Sequence, residues 1–324
     1  MGQPPFCWGV AFLRAPCYNV ENNMKRSDIM DHVILTPEDI ARVKGLGCLR
    51  DKRYPDVFNV RVITRNGKLT TDEHRAVADA ADRFGSGEVA MTSRLTLEIQ
   101  GVQYANIEPL REFLKSHGLE TGGTGTRVRP VVSCKGTTCQ FGLIDTFAIS
   151  EQLHERFYVG YHNVTLPHKM KIAVGGCPNN CVKPDINDIG IIGQKVPTVD
   201  LDKCKGCKKC QVEAACPIKH AKVVDGKMHI DPTVCNSCGR CEGKCLFDAI
   251  TYTPGMKVCI GGQWGKKATK STPLRHLFTS ADEALDVVEK AICLFRDEGI
   301  KGERFADTIN RLGFDYVEAK LLNK

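Results

Sequence analysis

The chain has 324 residues, 42% hydrophobic and 26% charged, with a formal net charge of +7, which is enough for two domains or for one domain with an insertion and is unlike a disordered chain. No apolar stretch approaches the ~20 residues that span a bilayer, and the opening MGQPPFCWGVAFLRAPCYNV lacks the basic lead and long apolar core of a secretory signal, so a cytoplasmic protein is expected. The excess of Lys and Arg comes without the aromatic-interleaved basic runs of nucleic-acid binders, and reads either as an ordinary basic surface or as an offset to anionic cofactors held inside.

Residues 1–30 show no clear period and read as a loose arm. Thr36-Pro37-Glu38-Asp39 opens a helix, with Thr36 as N-cap and Pro37 in the first turn. VFNVRVI (57–63) alternates as a strand, with Phe58, Val60 and Val62 on one face and Val57, Asn59, Arg61 and Ile63 on the other. Thr70 and Glu73 form a capping box, and Val77, Ala80, Ala81 and Phe84 give the helix a buried stripe. EVAMTSRLTLEI (88–99) reads as one alternating strand, with Val89, Met91, Leu95, Leu97 and Ile99 on one face and Thr92 and Arg94 on the other. A helix over 107–117 ends at Gly118. Residues 50–120 therefore predict a small α+β unit.

Beyond it come a glycine-rich loop, TGGTGT (121–126), a short strand into Cys134, and a helix over about 144–157. KMKIAV (169–174) and INDIGIIG (186–193) read as strands. Residues 199–256 break the pattern and are dense in cysteine, which marks an insertion. MKVCIGGQWGKK (256–267) returns to strand and glycine turn, Ser280 and Glu283 cap a long helix to about residue 297, and a shorter helix follows over 303–312.

Of the 17 cysteines, twelve fall into four groups: Cys134 and Cys139; Cys177 and Cys181; Cys204, Cys207, Cys210 and Cys216; Cys235, Cys238, Cys241 and Cys245. Without an export signal, clustered thiols favour metal ligation over disulfides. A C-x2-C-x2-C run presents three thiolates on one tight loop to three irons of a [4Fe–4S] cubane, whereas zinc sites more often use separated C-x2-C pairs. SCKGTTC and GGCPNNC place four thiolates on two tight turns, which satisfies a further [4Fe–4S] cluster; the alternative is a pair of redox dithiols, although neither pair is C-x2-C. Cys7, Cys17, Cys48, Cys259 and Cys293 read as ordinary small hydrophobes.

The two cysteine triplets, each with a trailing fourth cysteine, are similar to two-cluster bacterial ferredoxins, where the fourth cysteine ligates the other cluster. That resemblance implies one cluster on Cys204, Cys207, Cys210 and Cys245 and a second on Cys235, Cys238, Cys241 and Cys216. The chain departs from the pattern in the five residues before Cys216 and in Cys245-Leu246, which replaces Cys-Pro.

Residues 50–320 resemble the sirohaem-containing sulfite and nitrite reductases, most closely the small dissimilatory type and the C subunit of anaerobic sulfite reductase. GGCPNNC, LPHKMK (166–171), TSRLTLEIQGV (92–102), NVRVIT, GTRVRPVVSC, GGQWGKK (261–267) and GERFADTINRLG (302–313) carry the likeness. The first cysteine pair is C-x4-C, where the family more often has C-x5-C. The resemblance implies that Cys134, Cys139, Cys177 and Cys181 hold a cluster and that Cys181 is also the axial ligand of the sirohaem iron. Lys169 and Lys171 would face the substrate, Arg94 would lie at the sirohaem, and Arg61 and either Arg127 or Arg129, with Arg129 preferred, would bind anionic groups.

The implied architecture is α+β: an N-terminal arm and helix (1–48), a ferredoxin-like half-domain (49–124), a sirohaem and [4Fe–4S] domain (125–198 and 257–324) and an inserted two-cluster ferredoxin domain (199–256). The implied cofactors are one sirohaem and three [4Fe–4S] clusters. The implied reaction is six-electron reduction of sulfite to sulfide; alternatives are ammonia-forming nitrite reduction and a non-catalytic electron-transfer subunit, the latter disfavoured because a wire needs no Arg94, Lys169 and Lys171. A ferredoxin or a flavin or iron–sulfur subunit is the expected donor, with no nucleic acid or membrane partner. Larger family members carry two copies of the half-domain and haem-domain pair, so this single copy is expected to pair, as a homodimer or hetero-oligomer, to cover an apolar sheet face.

Overall fold

A computed structural model describes residues 34–323; the expected N-terminal arm, Cys7 and Cys17 lie outside the described residues. α1 (Pro37–Gly45) starts at Thr36, whose hydroxyl accepts the Asp39 N–H at 3.1 Å. β1 (Cys48–Arg50) and β2 (Val57–Val62) follow, then α2 (Thr71–Phe84), where the Thr70 hydroxyl accepts the Glu73 N–H at 3.2 Å and the Glu73 carboxylate accepts the Thr70 N–H at 2.7 Å. Two orphan donors are satisfied at once, so the helix begins where the sequence says. β3 (Val89–Met91), β4 (Leu97–Gln103) and α3 (Ile107–Ser116) complete an antiparallel sheet of order β1-β2-β4-β3 backed by helices. Phe58, Val60, Val62, Ile99 and Val102 from the sheet bury against Val77, Ala80, Ala81, Leu110 and Leu114.

Residues 88–99 are not one strand. They form a hairpin in which Val89 lies opposite Ile99 and Met91 opposite Leu97. The turn is closed by the Thr92 N–H on the Thr96 carbonyl at 2.9 Å and by the two threonine hydroxyls at 2.6 Å, with Leu95 at φ +58°. TSRLT contains no Gly or Pro, and apolar alternation continues across it, so a period of two conceals the reversal. Met91 is consequently 88% exposed on an edge strand. The reversal also places Arg94 at the hairpin tip.

The outward side chains in the middle of this sheet, Asn59 and Arg61 on β2 and Glu98 and Gln100 on β4, are polar and only partly buried. The expected uncovered apolar face is therefore absent here, and pairing of chains needs a different reason.

The second unit is a five-stranded sheet, order β11-β10-β7-β6-β5. In chain order it comprises β5 (Val132–Ser133), α4 (Thr146–Leu153) continued by a wider helical turn His154–Val159, β6 (Ile172–Gly175) and β7 (Ile189–Val199). α5 (Gln211–Ala215), β8 (Ala221–Val224) and β9 (Lys227–Ile230) belong to the cysteine-rich segment. β10 (Ile250–Ile260), β11 (Thr272–Pro273), α6 (Ala281–Glu298), α7 (Phe305–Leu312) and α8 (Phe314–Leu322) close the chain. β5, β6 and β7 are parallel neighbours. Ile172, Val174, Ile189, Ile191, Val258 and Ile260 are buried against helices, including Leu285, Val288, Ile292 and Phe295 of α6; strands covered on both faces read as continuous apolar runs. α8 was not expected from the sequence; it starts after Gly313 at φ +90° and buries Val317 and Leu321.

β7 and β10 pair along their whole length, from Ile189 opposite Ile260 to Val199 opposite Ile250. Residues 200–249 are thus the connection of one long hairpin, and the strand resumes at Ile250 rather than near Met256. This connection has a small core of its own, in which Val212, Ala221 and Met228 pack with Cys204, Cys210, Cys216, Cys241 and Cys245.

Candidate functional site

Cys134 follows β5 and Cys177 follows β6. These strands are parallel neighbours, Ser133 beside Val174, so both cysteine turns leave the same end of the sheet. The Cys134 N–H donates to the Val174 carbonyl at 3.1 Å, and the Gly176 N–H donates to the Cys134 sulfur at 3.1 Å. Thr146, at the start of α4, donates its hydroxyl to the Cys134 carbonyl at 2.7 Å. Burial raises the Cys177 thiol; the Asn179 amide opposes this, and the nearby Cys134, Cys181 and Cys139 thiols add to it. The four sulfurs therefore share one neighbourhood.

The two turns touch backbone to backbone. A Cβ on Gly176 would lie 2.7 Å from the Gly136 Cα and 3.5 Å from the Cys134 sulfur. Gly176→Ala should force the turns apart, cost about 1–3 kcal/mol, and lower the iron content of the protein. Iron and acid-labile sulfide assays read this directly; an unchanged iron content in the variant would show that the turns tolerate separation.

A second group lies at the opposite end of β6. Arg94 reaches from the hairpin tip into the second unit, where its Nε and Nη2 donate to the Pro130 carbonyl at 3.2 and 2.6 Å, Nη2 also to the Ile172 carbonyl at 3.2 Å, and Nη1 to the Asn187 side chain at 3.0 Å. Burial lowers its pKa to about 10, with Asp188 opposing and Arg129 and Arg61 adding to the fall; it remains a cation. Arg129 is likewise lowered to about 10 by burial, then by Arg61 and Arg304. Arg61 donates to Glu98 at 3.1 Å. Lys171 is pushed down to about 8, by burial and then by Arg94, Arg304 and Lys169. Lys169 is lowered by burial, Arg129 and Arg304, and His168 by burial, Arg304 and Lys169.

One buried carboxylate sits among these cations. Asp188, fully buried, accepts from Arg304 Nη2 through both oxygens at 2.8 Å and from the Lys171 N–H at 2.8 Å. The charge balance is strongly positive. The Nε–H groups of Arg61, Arg129 and Arg304 are buried without a hydrogen-bond partner. An unsatisfied buried donor costs about 1–3 kcal/mol, and three of them lie in this one cationic group.

The third feature is in residues 200–249. Cys216, Cys235, Cys238 and Cys241 line one small pocket. Backbone amides point at several sulfurs: Ala221 to Cys216 at 3.5 Å, Met228 to Cys204 at 3.2 Å, Ser237 to Cys235 at 3.4 Å and Ala249 to Cys245 at 3.4 Å. Burial raises the Cys216 thiol, but the amides of Ala221, His220, Ile218 and Lys219 outweigh it and the net shift is downward. Amides aimed at sulfur are what a thiolate ligand set requires. Among the described residues no three His, Cys, Asp or Glu side chains converge on a single-ion site.

Residues 124–324 match the family model of the nitrite and sulphite reductase 4Fe-4S domain, and residues 50–117 that of the nitrite/sulfite reductase ferredoxin-like half domain. The chain belongs to the nitrite and sulphite reductase family. It is 29% identical to the coenzyme F420-dependent sulfite reductase of Methanocaldococcus jannaschii over 268 residues, 81% of this chain but 42% of that one. It is 27% identical to the dissimilatory-type sulfite reductase subunit alpha of Nitratidesulfovibrio vulgaris over 313 residues, 84% of this chain and 71% of that one. The fold resembles the crystal structure of dissimilatory sulfite reductase I, with a TM-score of 0.65 and 23% identity, over 83% of this chain and 69% of that one.

For this family member, the structure brings Arg61, Arg94, Arg129, Lys169 and Lys171 into one group. Arg127 donates to His162 at 3.4 Å. Arg304 and Asp188 belong to the group and were not singled out from the sequence, although GERFADTINRLG contains the first. Lys171 precedes β6 and Cys177 follows it, six residues apart, so the lysine and the cysteine turn leave opposite ends of the strand, with roughly 20 Å as the upper limit of their backbone separation. Cys48 and Cys259 are buried as small hydrophobes, burial raising the Cys48 thiol to about 12. Cys293 is partly buried beside the Tyr161 hydroxyl. No helix among the described residues is long and apolar enough to cross a membrane.

Proposed function

We propose that the protein is a sirohaem-dependent sulfite reductase that makes sulfide, with its site completed between two copies of the chain. The observation that carries this is the cationic group with its three unpartnered buried guanidinium Nε–H donors. Arg129, Arg304 and Arg61 would bind anionic groups, and Lys169 and Lys171 would hold the substrate oxyanion. Lys171, pushed down to about 8 by burial and the neighbouring cations, can pass a proton to a departing oxygen; Arg94, engaged by carbonyls, fixes the hairpin tip. The separation along β6 supports pairing, because the lysines of one copy can then face the cysteine end of the other.

Cys134, Cys139, Cys177 and Cys181 would hold one [4Fe–4S] cluster, with Cys181 also on the haem iron. Cys204, Cys207, Cys210 and Cys245 would hold a second, and Cys216, Cys235, Cys238 and Cys241 a third, as in a bacterial ferredoxin. When bound, sirohaem and the clusters supply electrons to the anion one at a time. The family model covers nitrite reductases too, so ammonia-forming nitrite reduction is the second reading.

Anaerobic metal analysis should give about twelve iron and twelve sulfide from three clusters, plus one haem iron with its red absorption band. Zinc at one or two per chain with little sulfide would overturn the cluster assignment. A spectrum with the iron–sulfur shoulder alone would point to an electron-transfer subunit. Turnover measured with sulfite and with nitrite separates the two enzymatic readings.

A further inference from the structure

The connection 200–249 has two limbs with different surroundings. The limb carrying Cys235, Cys238 and Cys241 lies against the second unit. The Lys195 N–H donates to the Ser237 carbonyl at 2.8 Å. The Arg240 guanidinium stands 4.6 Å from the ring centroid of Phe141, two residues beyond Cys139. This limb is therefore the one nearest the Cys134 and Cys139 turn.

The limb carrying Cys204, Cys207 and Cys210 faces water. Lys203, Lys205, Lys208 and Lys209 alternate with those cysteines and all four are exposed. Lys203 pairs with Asp200 at 3.5 Å, and the other three have no ion pair among the described residues. The Asp200 N–H donates to the Ala249 carbonyl at 2.8 Å, which brings Leu201 towards the Leu246-Phe247 segment. Leu246 is 85% exposed, Leu201 54% and Phe247 45%. A single exposed lysine or leucine needs no explanation. A small apolar patch beside four lysines, over one cysteine set and away from the other, does.

We propose that this lysine-flanked patch is where electrons enter, by docking of a one-electron carrier protein with carboxylates around its redox group. The inference rests on the reading of the cysteines as cluster ligands. Each encounter oxidises the carrier by one electron and reduces the Cys204-limb cluster by one, with no bond made or broken in the chain. The electron then passes to the Cys216, Cys235, Cys238 and Cys241 cavity and past Phe141 to the Cys134 turn. Lys205, Lys208 and Lys209, without ion pairs among the described residues, steer an acidic partner, and the apolar centre excludes water on contact, as suits a small, transient interface.

The test is stopped-flow reduction of the iron-loaded protein by a reduced acidic ferredoxin and, separately, by reduced methyl viologen. With ferredoxin, the second-order rate constant should fall roughly tenfold or more as salt rises from low to physiological strength. Replacing Lys203, Lys205, Lys208 and Lys209 with Gln should produce a similar fall at low salt, at equal iron content and with the viologen rate unchanged. Leu246→Ser, at a side chain 85% exposed, should slow ferredoxin alone. Lysine-independent reduction by ferredoxin, with normal viologen reduction, overturns the docking face and leaves the cluster reading intact. Protein that viologen cannot reduce, or that holds no cluster iron, overturns the cluster reading and this face with it. Loss of an oligomer in light scattering on the lysine substitutions would assign the face to self-association and overturn the carrier.

Discussion

Mixing two inactive variants should restore sulfite turnover. Lys169→Ala/Lys171→Ala removes two cations from the group beside Asp188 and should lower kcat/KM by roughly 10²–10⁴-fold. Cys177→Ser/Cys181→Ser removes two thiolates from the other end of β6 and should abolish turnover. In a pair of copies where each site takes its lysines from one chain and its cysteines from the other, a mixed pair contains one doubly damaged site and one intact site. Random exchange makes about half of all pairs mixed, so about a quarter of wild-type activity returns for a two-fold pair. The measurement is turnover after unfolding-free subunit exchange, with mixed pairs verified by two affinity tags. Mixed pairs that stay inactive would place the whole site in one chain and remove the argument drawn from the lysines and cysteines leaving opposite ends of β6.

The same lysines set a pH dependence. Lys171 is lowered to about 8, so it is cationic below that pH and loses its charge above it. Anion binding needs the cation, so kcat/KM for sulfite should fall as pH rises through about 8. Lys171→Arg keeps the charge at all these pH values and should lose that alkaline fall even if its rate is lower. The sign for stability is opposite. The folded pKa lies below the ordinary lysine value of 10.5, so between about 8 and 10.5 the unfolded chain holds the proton more tightly, and this group makes the fold more stable as pH rises through that window.

What could be read from the sequence was local. Capping residues such as Thr36, Thr70 and Ser280 fixed helix starts to the residue, because each needs only a partner three positions away. Alternation assigned the buried face of β2. Reversal at Thr92–Thr96 could not be read that way, since two threonine hydroxyls and a left-handed leucine close the turn without Gly or Pro. Spacing marked twelve cysteines as ligand candidates. It could not say that β5 and β6 run parallel side by side, which puts both cysteine turns at one end and the lysines at the other. The Arg304–Asp188 contact spans 116 residues of sequence, and no local pattern announces it.

That contact should also be the most sensitive single point of the second unit. Asp188 is fully buried, and both of its oxygens accept from Arg304 at 2.8 Å. Arg304→Met leaves the carboxylate without its direct partner, a change that typically costs about 3–5 kcal/mol; the remaining cations, Lys171 and Arg94, hold the effect towards the lower end. Burial already pulls the Asp188 carboxyl upward while Arg304 pulls it back, so the variant's folded pKa must rise further above the unfolded value. A raised folded pKa stabilises at low pH and is lost as pH rises through it. The deficit in Tm should therefore be larger at pH 7.5 than at pH 5.5, within the range where wild type stays folded. Adding Asp188→Asn to Arg304→Met removes the buried charge and should recover much of the loss, whereas Asp188→Asn alone strips the group of its buried anion. Asp188 also opposes the fall of the Lys171 pKa, so in that single variant the alkaline limb of sulfite turnover should begin below pH 8. A double variant no more stable than Arg304→Met, with a deficit independent of pH, would show that Arg304 acts through its packing and not through the carboxylate.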